Sequence, residues 1–443
     1  VHLSDDVWRY LWDGVVQLNG INPYIHAPDS EALAPLRDSI IWPAVNHKWV
    51  PTIYPPIAQA VFAFNAAIGG GVTGLRLVMI LAEASMIPAV WRLSGAQTPS
   101  RRAWVALLLT WNPLMVVEFA GSAHLDVLAI APLVWALALA RDLGPRAPRS
   151  WALAGVALGV SVAAKLIGIL ALPALLVHLW RRGQRRLLTA AVLCATLAGT
   201  LVVTFAPYQT RLVFSEPGSF TSSLSTYARK WRFNDGPFQL LTFAERKLLE
   251  DVRGADGGDP SWDFATAPAP LSRIAFKEKN DSGDLVATSK IWRNELEIAL
   301  AKAVAALVLG LLLLFCLNQR LSPSGTTLAL LMATFLLAPV VHPWYVAWLV
   351  PLAIVHRNRS ALVWSALVVL SYHAAWLRAA DGTWRELDWP RWVEYTPVVA
   401  IAVWEGFRRL TSDFDVGRMP AYAGDVHPPG ETDDTNAPEG AEP

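Results

Sequence analysis

The chain has 443 residues, of which 54% are hydrophobic and 16% charged, and its formal net charge is +1, so it holds too much apolar sequence for one soluble core and shows no basic excess for nucleic acid. Repeated apolar runs of about 15 to 25 residues, parted by short Arg-rich or Pro-rich turns, predict an all-α polytopic membrane protein. Cys194 and Cys316 are the only cysteines, and because both lie inside apolar runs they predict neither a disulfide nor a zinc site.

The first element is the run Ser4-Asp5-Asp6-Val7-Trp8-Arg9-Tyr10-Leu11-Trp12-Asp13-Gly14. Its spacing predicts an amphipathic helix, with Val7, Trp8, Leu11, Trp12, Val15 and Val16 on one face and Asp6, Arg9 and Asp13 on the other. Such a helix is expected to lie in the membrane interface, capped by Ser4 or Asp5. The paired acids have two readings: solvated carboxylates of a capped helix, or a general base whose position and charge are set by its neighbour or by Arg9. The chain reaches this helix from Val1 without an apolar segment, so a membrane helix is expected ahead of it.

A polar stretch rich in Tyr, Trp and Pro follows, through Asn22-Pro23-Tyr24, His47-Lys48-Trp49 and Tyr54-Pro55-Pro56. Apolar runs are then read from Pro56 to about Gly70, Leu75 to Leu93, Ala103 to Ala120 and Val127 to Ala140. Trp151 to Trp180 is too long for one ordinary crossing and reads as two short passes bent at Lys165, with one long tilted helix as the alternative. Further runs span Leu187 to Phe205, Leu296 to Leu317, Thr326 to Val341, Val346 to Val355, Leu362 to Trp376 and Val393 to Trp404. The expected organisation is an external first loop (1–55), membrane helices (56–206), a long external loop (207–291), more membrane helices (292–410) and an acidic tail (411–443). That tail carries eight acids and one Arg and reads as disordered and cytoplasmic.

Arginine bias from Arg101 onward gives a consistent alternation. Two simple passes before Arg101 would nevertheless put Asp5 and Asp6 on the cytoplasmic side. A re-entrant run after Pro56, or an external loop at Arg101 with a single crossing at Trp151–Trp180, keeps the acidic helix and the long loop outside together.

Charged or polar groups at membrane depth need partners or a water-filled cavity. Glu118, His124, Asp126, Lys165 and His342 sit at the ends or in the middle of apolar segments, and the alternation brings His124, Asp126, Lys165 and His342 out on the face of Asp6. Blander readings stand beside this one: His124 and Asp126 as helix caps, Lys165 as a snorkelling side chain, His342 as an interface turn, and Glu118 as a partner of Lys165 or Arg9. The sequence has no phosphate-binding Gly loop, HExxH helix or GxSxG elbow, which favours a lipid-borne donor over a soluble nucleotide.

The Asp5-Asp6-Val7-Trp8-Arg9-Tyr10 run, Gly20-Ile21-Asn22-Pro23-Tyr24, Tyr54-Pro55-Pro56, Gly121-Ser122-Ala123-His124-Leu125-Asp126 and Val341-His342-Pro343-Trp344-Tyr345 resemble, in their order, bacterial GT-C fold glycosyltransferases. The likeness is greatest to polyprenyl-phosphate-mannose-dependent mannosyltransferases, and it runs from Asp5 to about Trp404. It implies a bundle of about ten to thirteen transmembrane helices with an external catalytic first loop, in a bacterial plasma membrane with the active site facing outward. It also implies an inverting transfer from a polyprenyl-phosphate sugar. The family's catalytic Asp, followed four positions later by Tyr, matches Asp6 with Tyr10, leaving Asp5 as a supporting acid and as the alternative base. His342 matches a His near that Asp, and Lys165 would be placed to meet a lipid phosphate. His124-Leu125-Asp126 stands where His-Asn-Asp is the family pattern. Tyr227-Ala228-Arg229-Lys230-Trp231-Arg232-Phe233-Asn234-Asp235-Gly236 also resembles the family, which implies that its basic residues touch carrier phosphate or headgroups, with a surface amphipathic turn as the alternative, and Arg9 and Tyr345 complete the expected substrate-binding set.

The reading is therefore an integral membrane glycosyltransferase that moves one sugar, mannose first among candidates, from a polyprenyl-phosphate donor to a glycan or glycolipid hydroxyl, with Asp6 as general base. No cofactor is expected, although adjacent acids at a phosphate are also how hard cations are held, so a divalent metal between Asp5 and Asp6 is the alternative. A lipid-linked sugar transporter and a non-catalytic envelope-assembly protein are the competing classes.

Overall fold

A backbone in lipid must satisfy its own N–H and C=O groups, so the apolar runs fold as helices, and their prolines and glycines decide where each helix breaks. The computed structural model describes residues 3–141, 148–182, 186–211, 223–224, 227, 231–253, 261–263, 276–279, 285–288 and 290–412. In chain order the main helices are α1 (Asp6–Leu18), α2 (Pro56–Ala67), α3 (Gly71–Ser94), α4 (Pro99–Thr110), α5 (Pro113–Gly121), α6 (Val127–Arg141), α7 (Pro148–Ala164) and α8 (Leu172–Arg182). There follow α9 (Arg186–Phe205), α10 (Gly236–Arg253), α11 (Arg293–Asn318), α12 (Pro323–Leu336), α13 (Pro343–His356), α14 (Arg359–Asp381) and α15 (Asp388–Ser412). The all-α expectation gains one detail: within 261–292 two short antiparallel ribbons form, Ser261–Asp263 with Lys290–Trp292 and Phe276–Lys279 with Leu285–Thr288.

The protein is a multi-pass membrane protein. Among the described residues four helices are long and apolar enough to cross a bilayer, or five if the bent pair α4–α5 is one span, while the other apolar helices have 10 to 17 residues. The single run read from Ala103 to Ala120 is thus corrected to two helices bent by 50°. Pro113 cannot continue α4, and the Asn112 side chain caps α5 by accepting from the Leu114 N–H. Trp151–Trp180 is likewise two helices: the chain is extended at Lys165 (φ −159°), and a 3-10 stretch follows over Leu166–Ala171.

The core is continuous from α1 and α2 through α6 to α13. α7 packs along α6 and α9. Gly155 and Gly159 let α7 approach α9, since a Cβ on Gly155 would lie 2.5 Å from the Leu193 carbonyl oxygen. Gly14 does the same for α1 on α2, where a Cβ would meet the Phe62 carbonyl oxygen at 2.5 Å.

The solvated polar face expected of α1 is corrected as well. Its polar face is buried, with Arg9 5% and Asp13 2% exposed, and Trp12 on the other side packs under the first loop with Val16, Leu33 and Val45. Arg9 donates to Asp13 Oδ1 (3.0 Å) and to the Val50 carbonyl (2.9 Å). Gln59 donates to Asp13 Oδ2 and Thr52, and accepts from Gln17. A buried polar face this well satisfied docks the helix instead of wetting it.

Candidate active site

Asp6 opens α1, and its N–H donates to Ser4 Oγ (3.2 Å), whereas Asp5 holds the cap position without a side-chain cap bond. The carboxylates of this pair are joined through Asn46, whose Nδ2 donates to Asp5 Oδ1 (3.0 Å) and to Asp6 Oδ1 (2.8 Å). Sequence reading missed Asn46, because it lies 40 residues along a polar loop and belongs to no periodic pattern. Asp6 keeps 22% of its side chain exposed. Burial, then the Asp5 charge, pushes its pKa up to about 6, against the Asn46 hydrogen bond and the Lys165 charge.

Behind Asp6 stands His124, fully buried, with Nδ1 3.9 Å from Asp6 Oδ2 and Nε2 3.5 Å from Glu118 Oε2. Neither ring nitrogen has a hydrogen-bond partner among the described residues. Local backbone explains how it gets there: α5 widens into a π turn over Val116–Gly121, and Ala123 takes a left-handed φ of +59°. Both features cost energy in a non-glycine chain and cluster at functional sites. Glu118 pairs with neither Lys165 nor Arg9; its Oε1 accepts from the Tyr372 hydroxyl at 2.7 Å.

His124 is the end of an aromatic column. It stacks on Trp344 (3.7 Å), Trp344 on His342 (4.3 Å), and His342 on Phe233 (4.8 Å). Burial and the Lys165 charge hold His342 down to about 3, and burial, His342 and Lys165 hold His124 well below its ordinary range. Both imidazoles are therefore neutral near pH 7, and neither brings a fixed positive charge to the site.

Lys165 does. At the break after α7 its Nζ lies 2.5 Å from Asp126 Oδ1 and 4.1 Å above the Tyr345 ring. Asp126 Oδ1 also accepts from Trp348 Nε1 (2.7 Å), so this acid fixes Lys165 and makes no side-chain cap on α6. Tyr345 and Tyr227 share a hydroxyl hydrogen bond of 2.7 Å, and Tyr345 lies edge-on to His342 (5.4 Å).

Of the residues singled out in the sequence, Asp5, Asp6, His124, Asp126, Lys165, His342 and Tyr345 are thus linked into one constellation drawn from four separate chain segments. Tyr10 lies inside it, stacked on Phe62 at 4.6 Å and edge-on to Tyr54 at 5.0 Å, as a buried support of α1. Arg9 serves the buried Asp13 pair. Arg229 lies outside the described residues, as do Lys230 and the tail from residue 413. The described residues gather no group of three His, Cys, Asp or Glu suited to a metal ion.

Two family descriptions match the chain: the N-terminal domain of alpha-(1->6)-mannopyranosyltransferases over residues 2–181, and the MptB C-terminal domain over residues 295–405. No curated protein matches it. Among solved structures, the archaeal oligosaccharyltransferase AglB from Archaeoglobus fulgidus, in complex with an inhibitory peptide and a dolichol-phosphate, aligns at 16% identity with a TM-score of 0.37, over 90% of this chain and 50% of that one. An apo Archaeoglobus fulgidus oligosaccharyltransferase aligns at 14% identity and a TM-score of 0.33, over 90% and 51%. The chain spans about half the length of each of these.

Proposed function

This chain is a GT-C mannosyltransferase-like protein, and we propose that it is a membrane glycosyltransferase in which Asp6 deprotonates the hydroxyl of a glycan or glycolipid acceptor while the sugar leaves a polyprenyl phosphate. The observation that carries the reading is the state of Asp6: half-buried, clamped by Asn46, and poised at about 6, so that the carboxylate is ionised at neutral pH yet basic enough to take a proton in the transition state.

The attacking oxygen forms its bond to the anomeric carbon as the bond from that carbon to the phosphate oxygen breaks on the opposite side. The acceptor proton passes to Asp6 and the electron pair leaves with the lipid phosphate. One displacement inverts the configuration. Lys165, oriented by Asp126 and the Tyr345 face, is the fixed positive charge for the departing phosphate. Asp5 shares the Asn46 amide and raises the basicity of Asp6 through like charge. Neutral His124 and His342 shape the wall through their stack with Trp344, and the site opens to the outer face of a bacterial plasma membrane. The mannosyltransferase family descriptions support mannose as the donor sugar.

Transfer of labelled mannose from polyprenyl-phosphate mannose to membrane acceptors tests this. Asp6→Asn is expected to lower the rate by about 10² to 10⁴ with folded protein retained, and Asp5→Asn by less. Equal activity in wild type and both variants would remove the catalytic reading and leave the transporter or assembly classes.

A further inference from the structure

A cavity of about 440 Å³ opens where the C-terminal ends of α3 and α6 meet the start of α4, lined by Trp91, Arg92, Gly95, Gln97, Arg102 and Arg141 among others. Three guanidinium groups line it, and no carboxylate does among the described residues. It lies far from the acidic site. α6 begins beside Asp126 and ends in Arg141, 15 residues later, so about 22 Å of helix separates the two.

Two of the arginines are held without being used up. Arg102 gives only Nε to the Ala96 carbonyl (3.0 Å) and lies over the Trp91 ring at 5.7 Å. Trp91 is itself pinned, its Nε1 donating to the Arg102 carbonyl at 2.8 Å. Arg141 gives Nη1 to the Arg92 and Leu93 carbonyls, closing the end of α3 where Gly95 turns left-handed (φ +64°). A guanidinium has five N–H donors in a planar fork, so each keeps an edge for a second ligand after its backbone bond is made. Pro88, Trp91 and Ala96 line the same cavity and give it an apolar flank.

We propose that this cavity binds a phosphate-bearing anion, presented as the headgroup of an anionic phospholipid on the membrane face opposite the acidic site. Preoriented forks match phosphate oxygens in pairs, the Trp ring suits the headgroup level, and the flank accommodates acyl chains. A free phosphate has the same chemistry without the flank.

The full chain in detergent, offered phosphatidylglycerol, phosphatidylcholine or inorganic phosphate, tests this by native mass spectrometry with thermal unfolding as a fold control. Phosphatidylglycerol is expected to be retained in preference to phosphatidylcholine. Retention should fall about tenfold in the Arg92→Gln/Arg102→Gln double variant and also in Gln97→Glu, which sets a carboxylate at the mouth. Arg141 is left intact because it also closes α3. Thermal protection by inorganic phosphate, lost in the same variants and without preference between lipids, would support the anion site and assign it to free phosphate. Equal retention of both lipids with no phosphate effect, or undiminished phosphatidylglycerol binding by Gln97→Glu, would overturn the proposal.

Discussion

The two ends of α1 carry the same kind of residue on the same face and treat it oppositely. Around Asp13, both carboxylate oxygens are bonded, Arg9 and Gln59 are buried with it, and Gln17 extends the network to Tyr208. Around Asp6, seven residues and just under two turns before Asp13, Asn46 is the one side-chain donor among the described residues, the nearest imidazole stands at 3.9 Å, and neither nitrogen of that imidazole has a hydrogen-bond partner among them. A satisfied buried network fixes a helix; an unsatisfied one is kept only where a substrate completes it. The first end anchors the helix, and the second is where we propose the chemistry takes place.

That contrast breaks most readily at Asp13. Arg9→Ala or Asp13→Ala strands one buried charge and is expected to cost about 3–5 kcal/mol, measured as loss of folded protein in thermal or denaturant titration, whereas an anchoring role for neither would leave stability unchanged. At the other end the sign reverses. The native pKa of Asp6, about 6, lies above its ordinary 3.8, so the native state binds more protons than the unfolded state between these values. Stability from this group is present at acid pH and declines as pH rises through 6. Asp6→Asn should then be more stable than wild type at pH 7, by up to about 3 kcal/mol, with the gain vanishing near pH 4. The same ionisation makes transfer rise through pH 6.

Smaller effects sharpen the comparison. Gly14→Ala, next to Asp13, should cost about 1–3 kcal/mol by forcing α1 off the Phe62 carbonyl, and a cost near zero would mean that α1 does not rest on α2 as described. Asn46→Ala removes the bond that favours ionised Asp6, so the acid limb of the transfer rate should move to higher pH. The rate at pH 6 should fall by about tenfold, with little change in substrate KM and a stability loss of about 1–2 kcal/mol at neutral pH.

Much of the fold was legible. Apolar length located the helices, and the Lys165 break was foreseeable because 30 apolar residues exceed one crossing. The bend at Asn112-Pro113 was in the letters too, but a continuous hydropathy signal hid it. His124, Asp126, Lys165 and His342 could be chosen because polar groups at membrane depth are costly and need a reason, the acids because they head an amphipathic helix, and Tyr345 only through the family resemblance. Asn46 could not, since a loop Asn costs nothing until the fold brings it to two carboxylates. The neutrality of His342 was equally hidden: it follows from Trp344 and Phe233 stacking on either side of the ring and from the nearby Lys165 charge.

Sequence alone determined that this is a helical membrane protein with paired acids at the head of an amphipathic segment, because period, length and polarity are local properties of a chain. Tertiary structure decided which polar groups are satisfied. Arg9 and Asp13 were read as a wet face and are a buried anchor, while His124 became the unbonded neighbour of Asp6. The difference rests on where partners from distant segments fall within hydrogen-bond reach, and hydrogen bonds act over about 3 Å, a range that no spacing along the sequence encodes.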